Sequence, residues 1–213
     1  ISAGTYIVTV TGFGYNCPKV DSGTITEPVA LSVSTSQTNV SCNGGNDGSA
    51  TASVSGGTSP YSYTWLQGFT TISTSQNATN LSAGTFDVNI LDSNGCTANT
   101  NVTITQPIAF NGGISSTDVS CNGGATGTAT ASGTGGITPY SYLWYNGSTA
   151  QTVSNLAAGS YSVTISDANG CGNLVYSATV NEPSPLSATI PTNTNVSCNG
   201  GNDGSAIASG GGG

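Results

Sequence analysis

The chain has 213 residues and almost no charge: one Lys (Lys19), no Arg, no His, and nine acids that set the formal net charge at −8. With nothing to neutralise phosphates, nucleic-acid binding is excluded, as is a basic helix lying on a membrane surface. With no His, neither a Ser-His-Asp nor a Cys-His arrangement can be built.

In chain order, ISAGTYIVTVTGFGYNC (1–17) and the segment closing at ITEP (25–28) read as the tail of a β-unit. LSVSTS (31–36) predicts a first strand. SATASVS (49–55) predicts a second, with Ala50, Ala52 and Val54 on one face. YSYTW (61–65) puts Tyr61, Tyr63 and Trp65 on one face. TFDVNI (85–90) turns Phe86, Val88 and Ile90 inward and Asp87 and Asn89 outward. This period of two is the mark of half-buried strands and argues against disorder. DSNG (92–95) predicts a hairpin turn, because Asn-Gly tolerates positive φ. NVTITQP (101–107) closes the unit with Val102 and Ile104 inward, and Pro107 ends it where no ladder donor is needed. No segment has helical periodicity, and no apolar run is long enough to span a membrane.

The same elements then recur. VSCNGGNDGSA stands at 40–50 and again at 196–206, with VSCNGGATGTA at 119–129. Cys42, Cys121 and Cys198 step by 79 and 77 residues; Cys17, Cys96 and Cys171 step by 79 and 75. SGGTSPYSYTW (55–65) matches SGTGGITPYSYLW (132–144), and NLSAGTFDVNILDSNGC (80–96) matches NLAAGSYSVTISDANGC (155–171). The division that follows is the C-terminal part of a repeat (1–28), complete repeats at 29–107 and 108–184, and the N-terminal part of another (185–213). The chain starts mid-pattern at Ile1, which reads as an excerpt. Gly210–Gly213 carries no assignment. A step of this length suits tandem immunoglobulin- or fibronectin-like β-sandwiches of six or seven strands. Because ITQP runs straight into IAFNGG, the expected arrangement is a linear string of beads, each about 35–40 Å long at the usual strand rise.

The motif set CNGGNDGSA, SGGTxPYSYxW, NLxAGxYxVxIxDxNGC and ITQP resembles the SprB-type repeat of Bacteroidota cell-surface gliding adhesins, over essentially the whole chain. The resemblance implies a very long secreted protein, exported by the type IX route and displayed as surface filaments. It departs at Ala125-Thr126, where the other loops have Asn-Asp, and at GFGYNC in the first partial repeat. On this reading the segment is a structural and adhesive stalk, extracellular and not an enzyme. Its partners would be neighbouring repeats, other copies in a filament, and surface polysaccharide. The alternatives are a self-assembling fibre or surface-layer subunit, and a carbohydrate-binding repeat array.

No catalytic residue is called for: Glu27 and Glu182 fall at equivalent repeat ends and not together. Asn46, Asp47, Asn202 and Asp203 are candidate calcium ligands, being oxygen donors in a glycine-rich loop. The same residues make ordinary turns, which the pattern favours; no other metal or cofactor is suggested. Trp65 and Trp144 are either sugar platforms or core aromatics, and their place in a period-2 run favours the core. Asn-x-Ser/Thr triplets at Asn39, Asn77, Asn80, Asn101, Asn146 and Asn195 are no more than this composition produces. At the corner before the penultimate strand, Tyr161 and Tyr6 can make a ring-hydroxyl hydrogen bond that Phe86 cannot.

The cysteines are expected to form disulfides. In a Greek-key sandwich the loop holding Cys42 and the hairpin holding Cys96 sit a strand apart, roughly 26 Å, beyond the Cα separation of about 7 Å that a disulfide allows. A bond between repeats, Cys42 with Cys171, is therefore favoured. Pairing inside repeats (Cys42 with Cys96, Cys121 with Cys171) is the alternative, and free thiols a third outcome.

Overall fold

A computed structural model of the chain describes residues 1–14 and 17–213 in full and the backbone of residues 15–16. Two side chains of the GFGYNC variant therefore lie outside the described residues. Every regular element among the described residues is a strand. Packing divides the chain into two units: residues 1–40 with 45–106, and residues 41–44 with 107–213.

The first unit opens with a hairpin, β1 (Gly4–Gly12) and β2 (Tyr15–Ile25), whose described side chains are solvent-exposed. Its sandwich follows. β3 (Ser32–Thr38), β4 (Gly48–Ser55) and β7 (Asn77–Leu81) form one sheet in the order β3-β4-β7. β5 (Ser62–Gln67), β6 (Thr70–Ser73), β8 (Gly84–Leu91) and β9 (Thr97–Ile104) form the other, in the order β6-β5-β8-β9. This three-on-four antiparallel arrangement is the immunoglobulin-like sandwich. Alternation decides what faces inward: Phe86, Val88 and Ile90 are at most 1% exposed, while Asp87 and Asn89 between them face water. Trp65 is fully buried, and its indole N–H donates to the Ser75 carbonyl at 3.0 Å, so the ring enters the core without an orphaned donor. The end of the first strand reaches the last one, Val40 N–H donating to Thr105 O (3.0 Å) and Thr105 N–H to Asn39 Oδ1 (2.9 Å).

The second unit repeats the plan. β10 (Asn111–Thr117), β11 (Gly127–Thr134) and β13 (Thr152–Leu156) pair in the order β10-β11-β13. β12 (Ser141–Trp144), β14 (Gly159–Ser166) and β15 (Leu174–Val180) pair as β12-β14-β15. Trp144, Val163 and Ile165 fill its core, and Trp144 N–H donates to Ala150 O at 2.7 Å. Among the described residues this unit has no counterpart of β6. Trp65 and Leu81 are 16 residues apart but Trp144 and Leu156 only 12, and the missing four are the length of that edge strand. A last hairpin, β16 (Ser187–Thr194) with β17 (Ser205–Gly211), repeats the β3–β4 pair with exposed side chains. Its sequel gives the terminal glycines a place: Gly213 N–H donates to Ser184 O, as Gly57 does to Val29 O and Gly136 to Ile108 O.

The corner hydroxyls are engaged. Tyr161 donates to Ala157 O at 2.8 Å and Tyr6 to Ser2 O at 2.7 Å, four residues back in each case. Phe86 holds the same position by packing alone. Tyr161→Phe is expected to cost about 1 kcal/mol, the net value of one such bond. Urea unfolding of the two proteins would measure it, and an unchanged midpoint would mean that the hydroxyl contributes nothing beyond what Phe86 achieves.

Candidate functional site

The repeated loop and the repeated hairpin are the places where this fold does something other than pack a core. The hairpins that end at Cys96 and Cys171 are each built around a buried acid. Asp167, 4% exposed, accepts from the backbone N–H of Asn169 (3.1 Å) and Cys171 (2.7 Å) on one oxygen, and from Ile137 N–H (2.9 Å) on the other. Asp92, also 4% exposed, does the same with Asn94, Cys96 and Thr58. The carboxylate thus shapes the turn and ties it to the segment that follows β4 or β11.

Both acids are held below the ordinary aspartate range. For Asp92 the leading cause is the Thr58 N–H, acting against burial; the Cys96 and Asn94 N–H groups add to it. For Asp167 burial pushes upward most strongly, but the Ile137, Cys171, Asn169 and Gly170 backbone bonds together outweigh it. A folded-state pKa below the unfolded one stabilises the fold above the unfolded value. That stabilisation is lost as pH falls through the folded value. Thermal stability is therefore expected to be flat near neutrality and to drop below about pH 4, the unfolded aspartate range. The drop should be weaker in an Asp92→Asn/Asp167→Asn protein, which starts less stable. Melting curves from pH 7 to 2 test this, and an equal acid slope in both proteins would remove these two acids as its source.

The loops are organised by their own repeat. Asn43 Nδ2 donates to Pro107 O at 3.0 Å, and Asn122 Nδ2 to Pro183 O at the same distance. Gly123 N–H donates to Glu182 Oε2 at 2.7 Å, so this repeat-end acid serves as a loop anchor. The Asn-Asp to Ala-Thr departure also has a physical reading. Ser120 N–H donates to Thr126 Oγ1 (2.9 Å), and at the equivalent place Ser197 N–H donates to Asp203 Oδ1 (3.0 Å). A hydroxyl and a carboxylate do the same turn work. The Ser197 hydroxyl and N–H bonds hold Asp203 below its ordinary range. Among the described residues no three His, Cys, Asp or Glu side chains gather as metal ligands.

Loop and hairpin meet once inside the second unit. Cys42, from the β3–β4 connection, is disulfide-bonded to Cys171 in the β14–β15 hairpin, with Cα atoms 5.6 Å apart and 129 residues between them in sequence. Asn169 Nδ2 donates to Ser41 O at 2.8 Å beside the bond. Cys17, Cys96, Cys121 and Cys198 are unpaired and exposed. The pairings Cys42–Cys96 and Cys121–Cys171 are not formed. Within the first sandwich Asp92 binds Thr58, beyond the far end of β4, whereas Cys42 precedes the near end, and eight residues of strand separate them. Trp65 and Trp144, the possible sugar platforms, are buried. Among the described residues the fully exposed aromatics are Phe13 and Phe69, which occupy different positions in their repeats.

Sequence reasoning missed the two buried acids. The signal was present, as Asp four residues before Cys in both DSNGC and DANGC, but Asp is so common in turns that burial could not be read from it.

No curated protein matches the chain. Among solved structures, the three N-terminal domains of the bacteriophage RB49 Highly Immunogenic Outer Capsid protein (Hoc) align at 14% identity and TM-score 0.44, covering 86% of this chain and 69% of that one. An amphioxus IgVJ-C2 molecule aligns at 14% identity and TM-score 0.31, covering 59% of this chain and 90% of that one. The family model described as SprB repeat matches at residues 34–70 and again at 113–149, each match running from the first strand of a sandwich past its core tryptophan. At those two places the chain is similar to the SprB repeat.

Proposed function

We propose that this chain is a stalk segment of a long secreted cell-surface protein, a structural and adhesive shaft of the kind that gliding adhesin filaments resemble. The observation that carries the reading is the placement of chemistry. The polar groups held out of solvent serve turns and connections, and a disulfide ties the β3–β4 loop to a hairpin 129 residues later. Such a bond belongs in an oxidising compartment, which supports an extracellular location, as does the occurrence of SprB repeats in cell-surface proteins. The immunoglobulin-like sandwich is a common building block of surface proteins and supplies no chemistry of its own. Secretion by the type IX route and a part in gliding rest on the family resemblance.

A shaft must carry tension, and single-molecule pulling from the two termini tests that. With the disulfide closed, the 129-residue separation is withheld from extension. Reduction should release about 430–460 Å of extra contour length at full extension. Extension that is identical before and after reduction would remove the disulfide from the load path. Surface location is tested separately: antibodies raised against the chain should label intact cells, and labelling that needs permeabilisation would overturn it.

A further inference from the structure

The loop that carries Cys121 is shaped like the one that carries Cys42, yet its thiol is unengaged. Its Asn122–Pro183 bond has the same length as Asn43–Pro107, and Gly124 N–H closes the turn on Cys121 O at 2.9 Å. The loop is therefore organised before any disulfide forms. Beside it lies an open cleft of about 320 Å³, bounded by Ser120, Cys121, Asn122, Pro185, Leu186 and Gly213. The corresponding place around Asn43, Ala109 and Phe110 is partly filled by Cys171 and Gly172, leaving about 190 Å³. What fills it is the Asp-x-Asn-Gly-Cys hairpin, held by the Asn169–Ser41 hydrogen bond as well as by the disulfide.

We infer that the Cys121 cleft is a docking site for an Asp-x-Asn-Gly-Cys hairpin, and that the hairpin at 92–96 of a second copy of this chain fits it. That hairpin has the same buried-acid frame, and its Cys96 is unpaired and exposed. Its Asn94 amide rests on the Thr58 hydroxyl at 3.0 Å, where Asn169 instead reaches the loop carbonyl. Position 137, equivalent to Thr58, is Ile and offers no such rest. Docking thus requires Asn94 to exchange one acceptor, Thr58 Oγ1, for another, the Ser120 carbonyl. The site has a direction: loops accept hairpins, so loop with loop and hairpin with hairpin do not join. The inference rests on the geometry of loop and hairpin and is independent of where the protein is displayed.

The test uses the full chain with the Cys42–Cys171 bond kept. One protein carries Cys17→Ser, Cys96→Ser and Cys198→Ser, leaving the Cys121 thiol. The other carries Cys17→Ser, Cys121→Ser and Cys198→Ser, leaving the Cys96 thiol. Oxidised glutathione is the oxidant. One thiolate attacks it and releases one reduced glutathione, and the second thiolate then displaces the other, forming the protein disulfide. The Cys121 and Cys96 proteins should cross-link about tenfold faster with each other than either does with itself, the scale of one added hydrogen bond. Asn94→Ala should bring the rate down towards the like-with-like value while leaving Cys96 equally reactive to a small aromatic disulfide. Equal rates for all three mixtures, no cross-link at all, or a cross-link indifferent to Asn94 would each overturn the inference.

Discussion

Gly135→Ala is expected to destabilise the second sandwich by about 2–5 kcal/mol. Two costs combine. Gly135 has φ +66°, a region that costs an L-residue about 1–2 kcal/mol. An added Cβ would also collide with the Ala109 carbonyl oxygen and stand 3.0 Å from its carbon. Those are backbone atoms of the segment leading into β10, so no side-chain rotation relieves the clash. The backbone shift that remains costs about 1–3 kcal/mol. Nor can the segment retreat freely, because Gly136 N–H is bonded to Ile108 O and the Tyr140 hydroxyl to Gly135 O, both at 2.8 Å. At about 4–8 °C per kcal/mol for a domain of this size, the melting temperature of that sandwich should fall by about 8–40 °C. Gly123→Ala is the control. It has φ +72° but open space where the Cβ would go, so it should cost only the backbone share. Calorimetry of the three proteins decides the matter, and equal losses in both variants would mean that the contact with Ala109 is not what requires glycine. Gly56 and Gly212 stand in the same relation to Ala30 O and Pro185 O, so the double glycine is a joint that the repeat makes wherever it begins.

That joint marks the line between what the sequence discloses and what it conceals. Alternation placed Phe86, Val88, Ile90, Val102 and Ile104 inward, and they are buried, because a strand's period of two leaves no other choice once one face meets a core. The corner tyrosine was legible because its partner is four residues away in the same chain segment. The buried acids were not: the Ile137 N–H that Asp167 accepts from is 30 residues distant, and only closure of the sandwich brings it near. The lost edge strand is an intermediate case. A four-residue shortening after Trp144 is plain in the sequence, but that it removes a strand and not part of a loop depends on whether Thr70–Ser73 is paired in the longer repeat, which pattern alone does not say. In the loop, the substitution of Ala125-Thr126 for Asn-Asp reads as a change of chemistry until the acceptor role of position 126 is seen.

Trp144→Ala should have the other large effect, and the missing strand is the reason to choose it over Trp65. Trp144 is 1% exposed and ends a four-residue strand paired on one side only, through its register with Val163. Trp65 is backed by β6 on one side and β8 on the other. Truncating a buried Trp to Ala costs about 3–5 kcal/mol, depending on how far the site collapses. The Ala150 carbonyl also loses its indole partner, but Ala150 is exposed, so water can replace that bond and it adds little. Against a typical domain stability of about 5–15 kcal/mol, the second sandwich should become marginal while the first keeps its core. The chain has only two tryptophans, so the variant provides its own reporter: the remaining fluorescence comes from Trp65 alone. Under urea, far-ultraviolet circular dichroism should then show two transitions, the earlier one absent from the fluorescence. A single transition shared by both signals would mean that the sandwiches unfold as one cooperative body, and an unchanged midpoint would mean that the Trp144 ring is not the centre of its core.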